Sequence, residues 1–120
     1  APLRLAAQEL RAHLDNPAFN WPPSERLTAE IKLGTLYREI GQRLGDAATS
    51  RKQLVAAQRA WVAFRDAECA FASSAVDGGS ARPMVADLCL VAVTQTRIAN
   101  LKQYLNCEEG DLSCPVPPGN

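Results

Sequence analysis

Four cysteines constrain the fold of this chain more than any other feature. They are even in number, and no two form the CxxC pair typical of zinc sites: Cys69, Cys89, Cys107 and Cys114. The only histidine, His13, lies far from them in sequence. Two disulfides are therefore the simpler interpretation, with no metal site, and they predict an oxidising compartment such as the periplasm or the extracellular space. Four reduced, buried thiols in a cytosolic protein are the alternative.

The spacing of the cysteines favours one of the three possible pairings. Cys69 lies ten residues before Gly79, and Cys89 lies ten residues after it. If the segments on either side of Gly79 form an antiparallel helical hairpin, these two cysteines lie level with each other and can form a disulfide. Cys107 and Cys114 would then close a small loop near the C-terminus. Loop-closure entropy gives roughly 3 kcal/mol of stabilisation for the first disulfide and somewhat less for the second.

Helical patterns cover most of the chain and predict an all-α fold. Apolar spacing predicts helices over residues 2–13, 24–44, 50–73 and 83–105. We therefore expect a small bundle of about four helices centred on the disulfide-linked antiparallel hairpin. A Pro-rich loop over residues 16–24 carries Phe19 and Trp21, which we expect to cover the edge of the core.

The second predicted helix has two notable patterns. Its apolar stripe consists of Leu27, Ile31, Tyr37, Ile40 and Leu44. Gly34 and Gly41 lie seven residues apart on one face, where they would mark the close approach of a neighbouring helix or of a second subunit. Gly45 is well placed to end the helix.

Composition indicates a single domain over residues 1–120 and excludes some classes of protein. Thirteen Lys and Arg balance thirteen Asp and Glu, which argues against a nucleic-acid binder. We expect no transmembrane segment, since no apolar run approaches the roughly 20 residues that span a bilayer. The start at Ala1, without Met or a signal segment, is what we expect of a processed exported protein. Residues 106–120 form an acidic, Pro-rich tail, typical of a solvated end.

A stripe of polar and aromatic residues precedes the first cysteine. Gln58, Trp61, Arg65 and Cys69 share one helical face, which the cysteine and the tryptophan should turn inward. In the hairpin register Arg97 lies opposite Trp61, where we expect a cation–π contact. The nearest carboxylates for the two arginines are Asp66, Glu68 and Asp87. The stripe is interpreted as a structural network that locks the hairpin; a ligand site at Arg65 or Arg97 is the alternative.

These residues resemble a known family. The ordered set is Gln58, Trp61, Phe64, Arg65, Asp66, Cys69, Cys89, Val93, Thr94, Arg97 and Leu101. It is similar to the LprI family, bacterial secreted or lipid-anchored domains named for a lysozyme inhibitor. The resemblance spans roughly residues 27–105 and implies an all-helical, disulfide-bonded, exported bacterial protein. It also implies a protein partner, namely a basic lysozyme.

The sequence favours binding over catalysis. Asp66 and Glu68 point in different directions on a helix, and His13 has no nucleophile near it in sequence, so we predict no catalytic residues and no cofactor. An inhibitor could plug the acidic cleft of lysozyme with a turn of hydroxyl and cationic groups. The candidate turn consists of Asp77, Gly78, Gly79, Ser80, Ala81 and Arg82. The acidic tail would steer a basic partner. A periplasmic scaffold protein without lysozyme activity is the alternative.

Overall fold

The computed structural model describes residues 22–108 and 110–119. They form three α-helices, which we label α1 (Pro22–Leu44), α2 (Ala48–Ala72) and α3 (Arg82–Leu105), with a 3-10 turn at Ser74–Val76. The described part of the chain contains no strand, which confirms the predicted all-α class. The predicted helix over residues 2–13, and the rings of Phe19 and Trp21, lie outside the described residues. Three helices are therefore seen where the sequence predicts about four.

The connection between α1 and α2 is short and tightly bound. Gly45 has a φ of +54°, the left-handed conformation that glycine adopts after a helix. Arg51 of α2 reaches back and donates from Nη1 to the carbonyl oxygens of Gly41, at 2.8 Å, and Gly45, at 3.1 Å. The Gly41 carbonyl also accepts a hydrogen bond from the Gly45 amide at 3.3 Å, whereas the Gly45 carbonyl lies just past the end of α1, where helical partners run out. The arginine therefore satisfies the end of one helix from the start of the next.

Helices α1 and α3 share the main apolar core. Its buried side chains are Ala29, Leu33, Ile40 and Leu44 of α1, Ile98 and Leu101 of α3, and Val116 of the tail. Leu101 is fully buried, and half-buried side chains of all three helices pack around this cluster. Removing these surfaces from water supplies the main driving force for folding.

The apolar stripe predicted for α1 is only half correct. Ile40 and Leu44 are buried, but Leu27 is 57% exposed and Ile31 is 61% exposed. The inward face is instead the one that carries Ala29 and Leu33, two positions further along. Two apolar stripes run along this end of α1, and contact with α3 decides which of them is buried.

The two glycines of α1 do not mark a helix contact among the described residues. A Cβ atom on Gly41 would meet nothing within 4 Å. One on Gly34 would meet only the Arg38 guanidinium of the same helix, at 3.4 Å. The predicted close approach of a neighbouring helix is therefore wrong for the helices within residues 22–108.

The tail packs against the body of the protein. Val116 is only 6% exposed and belongs to the main core, and Cys114 packs beside it. Arg43 of α1 donates from Nη1 to the carbonyl oxygen of Leu105 at 2.8 Å, and its guanidinium also lies against Gly119. The predicted solvated end is therefore only partly correct: most described residues of the tail are exposed, but Val116 is buried in the main core.

Helix α2 contributes much less to the core. Its buried residues are Cys69 and Ala72, near its C-terminal end. Along the rest of the helix Leu54 and Trp61 pack against the main core while remaining half-buried. The side chains of Phe64 and Phe71 are 57% and 77% exposed. This helix therefore lies at the edge of the α1–α3 pair.

Helix α3 is the most apolar of the three described helices. It is long and apolar enough to cross a bilayer by length and composition alone, with a mean hydropathy of 1.2 over its best 18-residue window. That window is 44% buried within the protein, because α3 packs against both other helices. Its position as the central helix of the described bundle accounts for the apolar composition, which the sequence analysis underestimated.

Candidate functional site

The motif of α2 brings an arginine onto the tryptophan ring, but a different arginine from the predicted one. The Cζ atom of Arg65 lies 5.3 Å from the centroid of the Trp61 ring. The two residues are four positions apart on one helix, so they stack on the same face and form a cation–π contact. Arg97, predicted to cover the ring from the opposite helix, lies elsewhere.

Arg97 of α3 instead meets Gln58 of α2. Its Nε donates to the Oε1 atom of Gln58 at 3.2 Å. This is the only side-chain hydrogen bond between α2 and α3 among the described residues. The predicted register placed Trp61 opposite Arg97, and the observed partner lies three positions earlier, close to one helical turn. The Cys69–Cys89 disulfide has the predicted register, so the long side chains of Arg97 and Gln58 reach across this distance.

The nearby carboxylates are divided between the arginines unevenly. The Oδ1 atom of Asp66 lies 2.9 Å from Nε and 2.8 Å from Nη2 of Arg65. Asp87 is buried and pairs with Arg26 of α1, whose Nη1 lies 2.7 Å from its Oδ1. Arg97 therefore has no carboxylate partner among the described residues. The sequence analysis missed Arg26, since nothing in the local pattern distinguishes it from other surface arginines.

The structure contains the disulfides that the cysteine spacing favours. Cys69 and Cys89 are joined with a Cα–Cα separation of 5.5 Å, and Cys107 and Cys114 with one of 6.1 Å. The first pair is buried with Ala72, and Leu90 and Val93 pack around it. The hydroxyl of Ser73, itself fully buried, donates to the carbonyl oxygen of Cys69 at 2.8 Å. This end of α2 is therefore held by a covalent bond and a small apolar cluster.

The candidate partner-binding turn follows directly from this cluster. Asp77, Gly78, Gly79 and Ser80 are exposed, and Gly78 has a φ of +79°. The Nε atom of Arg82 lies 2.8 Å from the Oδ1 atom of Asp77. The predicted turn contains Arg82 as its cationic group, and in the structure this arginine is paired within the turn. Both side chains remain substantially exposed, so this ion pair is weak and a competing carboxylate can replace it.

A pair of lysines that the sequence analysis missed lies in the groove between α1 and α3. Lys32 and Lys102 line this groove together with Thr28 and Gln95. A hydrogen bond to Lys32 and its positive charge lower the pKa of the Lys102 ammonium, because a neighbouring cation disfavours the charged form. Helical spacing does not reveal the pair, since it forms only when two helices meet.

The polar groups of the motif contact one another or a neighbouring carboxylate. Within residues 22–108 and 110–119, no cluster of three or more His, Cys, Asp or Glu side chains is arranged to hold a metal ion. His13 lies outside the described residues. The polar groups of the motif are engaged in contacts between and along helices, which is what a structural network requires.

Comparison with known proteins identifies the family. The family described as Lysozyme inhibitor LprI matches residues 23–101. The chain belongs to the LprI family. The match covers α1, α2 and most of α3, including the motif residues, and it confirms the resemblance noted in the sequence. It ends before Cys107, so the tail and its disulfide lie outside the family region.

A relative within curated proteins is consistent with this assignment. An uncharacterized protein of Rhizobium meliloti (strain 1021) is 36% identical over 92 residues, which cover 68% of this chain and 66% of that protein. The chain thus spans slightly less than two thirds of the relative's length. No solved structure matches the chain. At the family level, LprI membership implies lysozyme inhibition rather than catalysis, and an extracellular or periplasmic location.

Proposed function

We propose that this chain is an exported bacterial protein that inhibits lysozyme by binding it. The observation that carries the proposal is the match of the lysozyme inhibitor family over residues 23–101. Two disulfides support export, because such bonds persist in oxidising compartments and are rare in the cytosol. The partner in this proposal is a basic lysozyme whose substrate cleft is acidic.

The proposed contact element is the turn between α2 and α3, and these two helices are proposed to form an antiparallel hairpin. Two links support this arrangement: the Cys69–Cys89 disulfide and the Gln58–Arg97 hydrogen bond, which join α2 and α3 in opposite sequence order. A turn anchored by a disulfide loses little conformational freedom on binding, and so keeps more of its interaction energy as affinity.

Within the turn, Arg82 is proposed to bind a carboxylate of the lysozyme cleft. In the free protein the Oδ1 atom of Asp77 lies 2.8 Å from Nε of the Arg82 guanidinium. A carboxylate of the partner would replace Asp77 in a charge-assisted hydrogen bond. Ser80 is exposed two residues before Arg82 and adds a hydroxyl. Asp77 therefore acts in this proposal as an internal competitor that binding displaces.

The test is a lysozyme assay on bacterial cell suspensions with three variants. Arg82→Ala should relieve inhibition, whereas Asp77→Ala should strengthen it by removing the competitor. Arg59→Ala is the matched control, since Arg59 is an exposed arginine of α2 away from the turn, and it should leave inhibition unchanged. All three should melt at nearly the same temperature as the parent protein. A parent protein that leaves lysozyme active at micromolar excess ends the proposal.

The second candidate function is a scaffold in the bacterial envelope that binds another protein. The exposed rings of Phe64 and Phe71 favour it, since they lie seven positions apart on one face of α2. An interface there should persist at high salt, while lysozyme binding through Arg82 should weaken. Phe71→Ser combined with Phe64→Ser should abolish capture of such a partner and leave lysozyme inhibition intact. The opposite pattern rejects the scaffold function.

A further inference from the structure

A small apolar cavity opens where the first half of α2 lies beside the second half of α3. Its volume is about 190 Å³. The walls come from all three helices and from the tail, and include Ile40, Leu54, Ala57, Arg97, Tyr104 and Val116. Arg97 is the one charged side chain in its lining. The cavity is therefore an apolar space with a single cationic group in its wall.

Arg97 lacks the counter-charge that its surroundings call for. Its Nε is held by the Oε1 atom of Gln58 at 3.2 Å, which leaves the terminal nitrogens of the guanidinium with no hydrogen-bond partner among the described residues. The side chain is half-buried, and no described carboxylate forms an ion pair with it. A half-buried guanidinium keeps part of its hydration, and a carboxylate ligand would form charge-assisted hydrogen bonds with its free terminal nitrogens.

Two other half-buried arginines of the described chain have carboxylate partners. Arg26 pairs with Asp87, Arg65 with Asp66, and each carboxylate oxygen lies within 3 Å of a guanidinium nitrogen. Among the described arginines, Arg97 combines partial burial, an Nε held by Gln58 and an adjoining apolar space. The amide of Gln58 orients the guanidinium without neutralising it, so the charge remains available to a ligand.

We propose that this cavity binds a small carboxylate that carries a short apolar chain. The carboxylate accepts two hydrogen bonds from the terminal nitrogens of Arg97, the bidentate geometry that guanidinium groups favour. The apolar chain lies against Leu54, Ala57 and Val116. Tyr104 lines the same space and adds a hydroxyl.

Size and charge together define the ligand class. Pockets for drug-sized molecules measure about 300–1,000 Å³, so a cavity of 190 Å³ takes a smaller molecule, such as a short unbranched aliphatic acid. The tail disulfide Cys107–Cys114 holds Val116 against the cavity and so maintains its wall. This proposal does not depend on lysozyme binding, since the turn at Arg82 is a separate part of the molecule.

The test is isothermal titration of the full chain with hexanoate, hexanol and hexylammonium. Hexanoate should bind with saturation, and the neutral and cationic analogues should bind roughly tenfold or more weakly because they cannot pair with Arg97. Arg97→Gln should remove this preference for the carboxylate. Arg59→Gln removes the same charge from an exposed site on α2 and should change nothing. Equal binding of hexanoate and hexanol, or no saturable binding of hexanoate, overturns the proposal.

Two further variants keep the test decisive if Arg97→Gln fails to fold. Gln58→Glu places a carboxylate on the Arg97 guanidinium, so it should raise the melting temperature and abolish hexanoate binding together. Ala57→Leu fills the cavity on a helix that accepts leucine readily, so it should block all three probes without unfolding the protein. Retention of hexanoate binding by both folded variants also overturns the proposal.

Discussion

The two interfaces of α3 are stabilised in different ways. Against α1, it buries a continuous series of apolar side chains and the ion pair of Arg26 with Asp87. Against α2, it has a buried disulfide with a small apolar cluster at one end and the hydrogen bond of Arg97 to Gln58 further along. A disulfide and a few polar contacts thus hold α2 against α3, whereas hydrophobic burial holds α1 against it.

The difference explains where binding functions are proposed. A helix held at its end by a disulfide can leave most of its surface exposed and still stay in place. The proposed lysozyme-binding turn, the exposed phenylalanines and the Arg97 cavity all lie on the α2 side of α3. The α1 side supplies most of the buried apolar surface of the described core. Four predictions test this division, from the largest expected effect to the smallest.

Buried core side chains should contribute more to the free energy of unfolding on the α1 side of α3 than on the α2 side. Leu101→Ala removes a fully buried side chain and should lower the free energy of unfolding by about 2–5 kcal/mol. Phe64→Ala removes a larger side chain from the α2 side, yet it should change stability by no more than about 0.5 kcal/mol, because the ring is mostly exposed. Urea denaturation of both variants measures the contrast. Similar losses for the two would show that α2 is as deeply packed as α1.

Removal of the two disulfides should lower stability by different amounts and should loosen different segments. Replacing Cys69 and Cys89 together by alanine should cost about 3 kcal/mol, and replacing Cys107 and Cys114 about 2 kcal/mol, from the lengths of the closed loops. The first change should also speed amide hydrogen exchange along α2 while α1 stays protected. The second should speed exchange only near the tail. Uniform acceleration in both variants would argue against independent anchoring of α2.

The stability contributions of the Arg26–Asp87 and Arg82–Asp77 ion pairs should follow how deeply each pair is buried. Arg26→Ala leaves the buried Asp87 without its counter-charge and should destabilise by about 1–3 kcal/mol. Arg82→Ala disrupts the exposed pair with Asp77 and should cost no more than about 1 kcal/mol. Thermal unfolding at low and high salt checks both values. A larger loss of stability for Arg82→Ala than for Arg26→Ala would indicate that the proposed binding turn has a structural role.

The smallest effect concerns the tail and depends on pH. Hydrogen bonds from the hydroxyl and amide of Ser113 lower the pKa of Asp111 below its ordinary value of 3.8. The stabilising contribution of this carboxylate is therefore complete above that value and is lost as the pH falls through the lowered pKa. Carbon NMR titration of Asp111 should show the shift, and Ser113→Ala should move the pKa upward. An unchanged titration in that variant would assign the shift to another group.

Much of the fold is predictable because its signals are local. Helix positions follow from apolar spacing and from prolines in the first turns, and the three described helices agree with prediction to within two residues at each end. The placement of Cys69 and Cys89 about Gly79 indicates their pairing, since both cysteines lie on regular helices joined by a short turn. Family membership is also readable, because the motif is an ordered set of residues in sequence.

The candidate site is less predictable because it depends on rotation and register. The register counted from Gly79 predicted that Arg97 would cover the ring of Trp61. In the structure Arg97 donates a hydrogen bond to Gln58, three positions earlier, and Arg65 covers the ring. Such a shift changes no periodicity, so the sequence carries no sign of it. Among the described residues Arg97 has no carboxylate partner, which is the basis of the proposed cavity site.

By itself, the sequence determined the helical class, the candidate disulfides and the family, all of which depend on residue type and spacing along one chain. Tertiary structure decided which stripe of α1 is buried, which partner each arginine receives and where the tail lies. The physical reason is that Leu27 and Ile31 are as apolar as the stripe that faces α3, and arginine pairs with any carboxylate in reach. Only packing of the helices against one another selects among these equivalent choices.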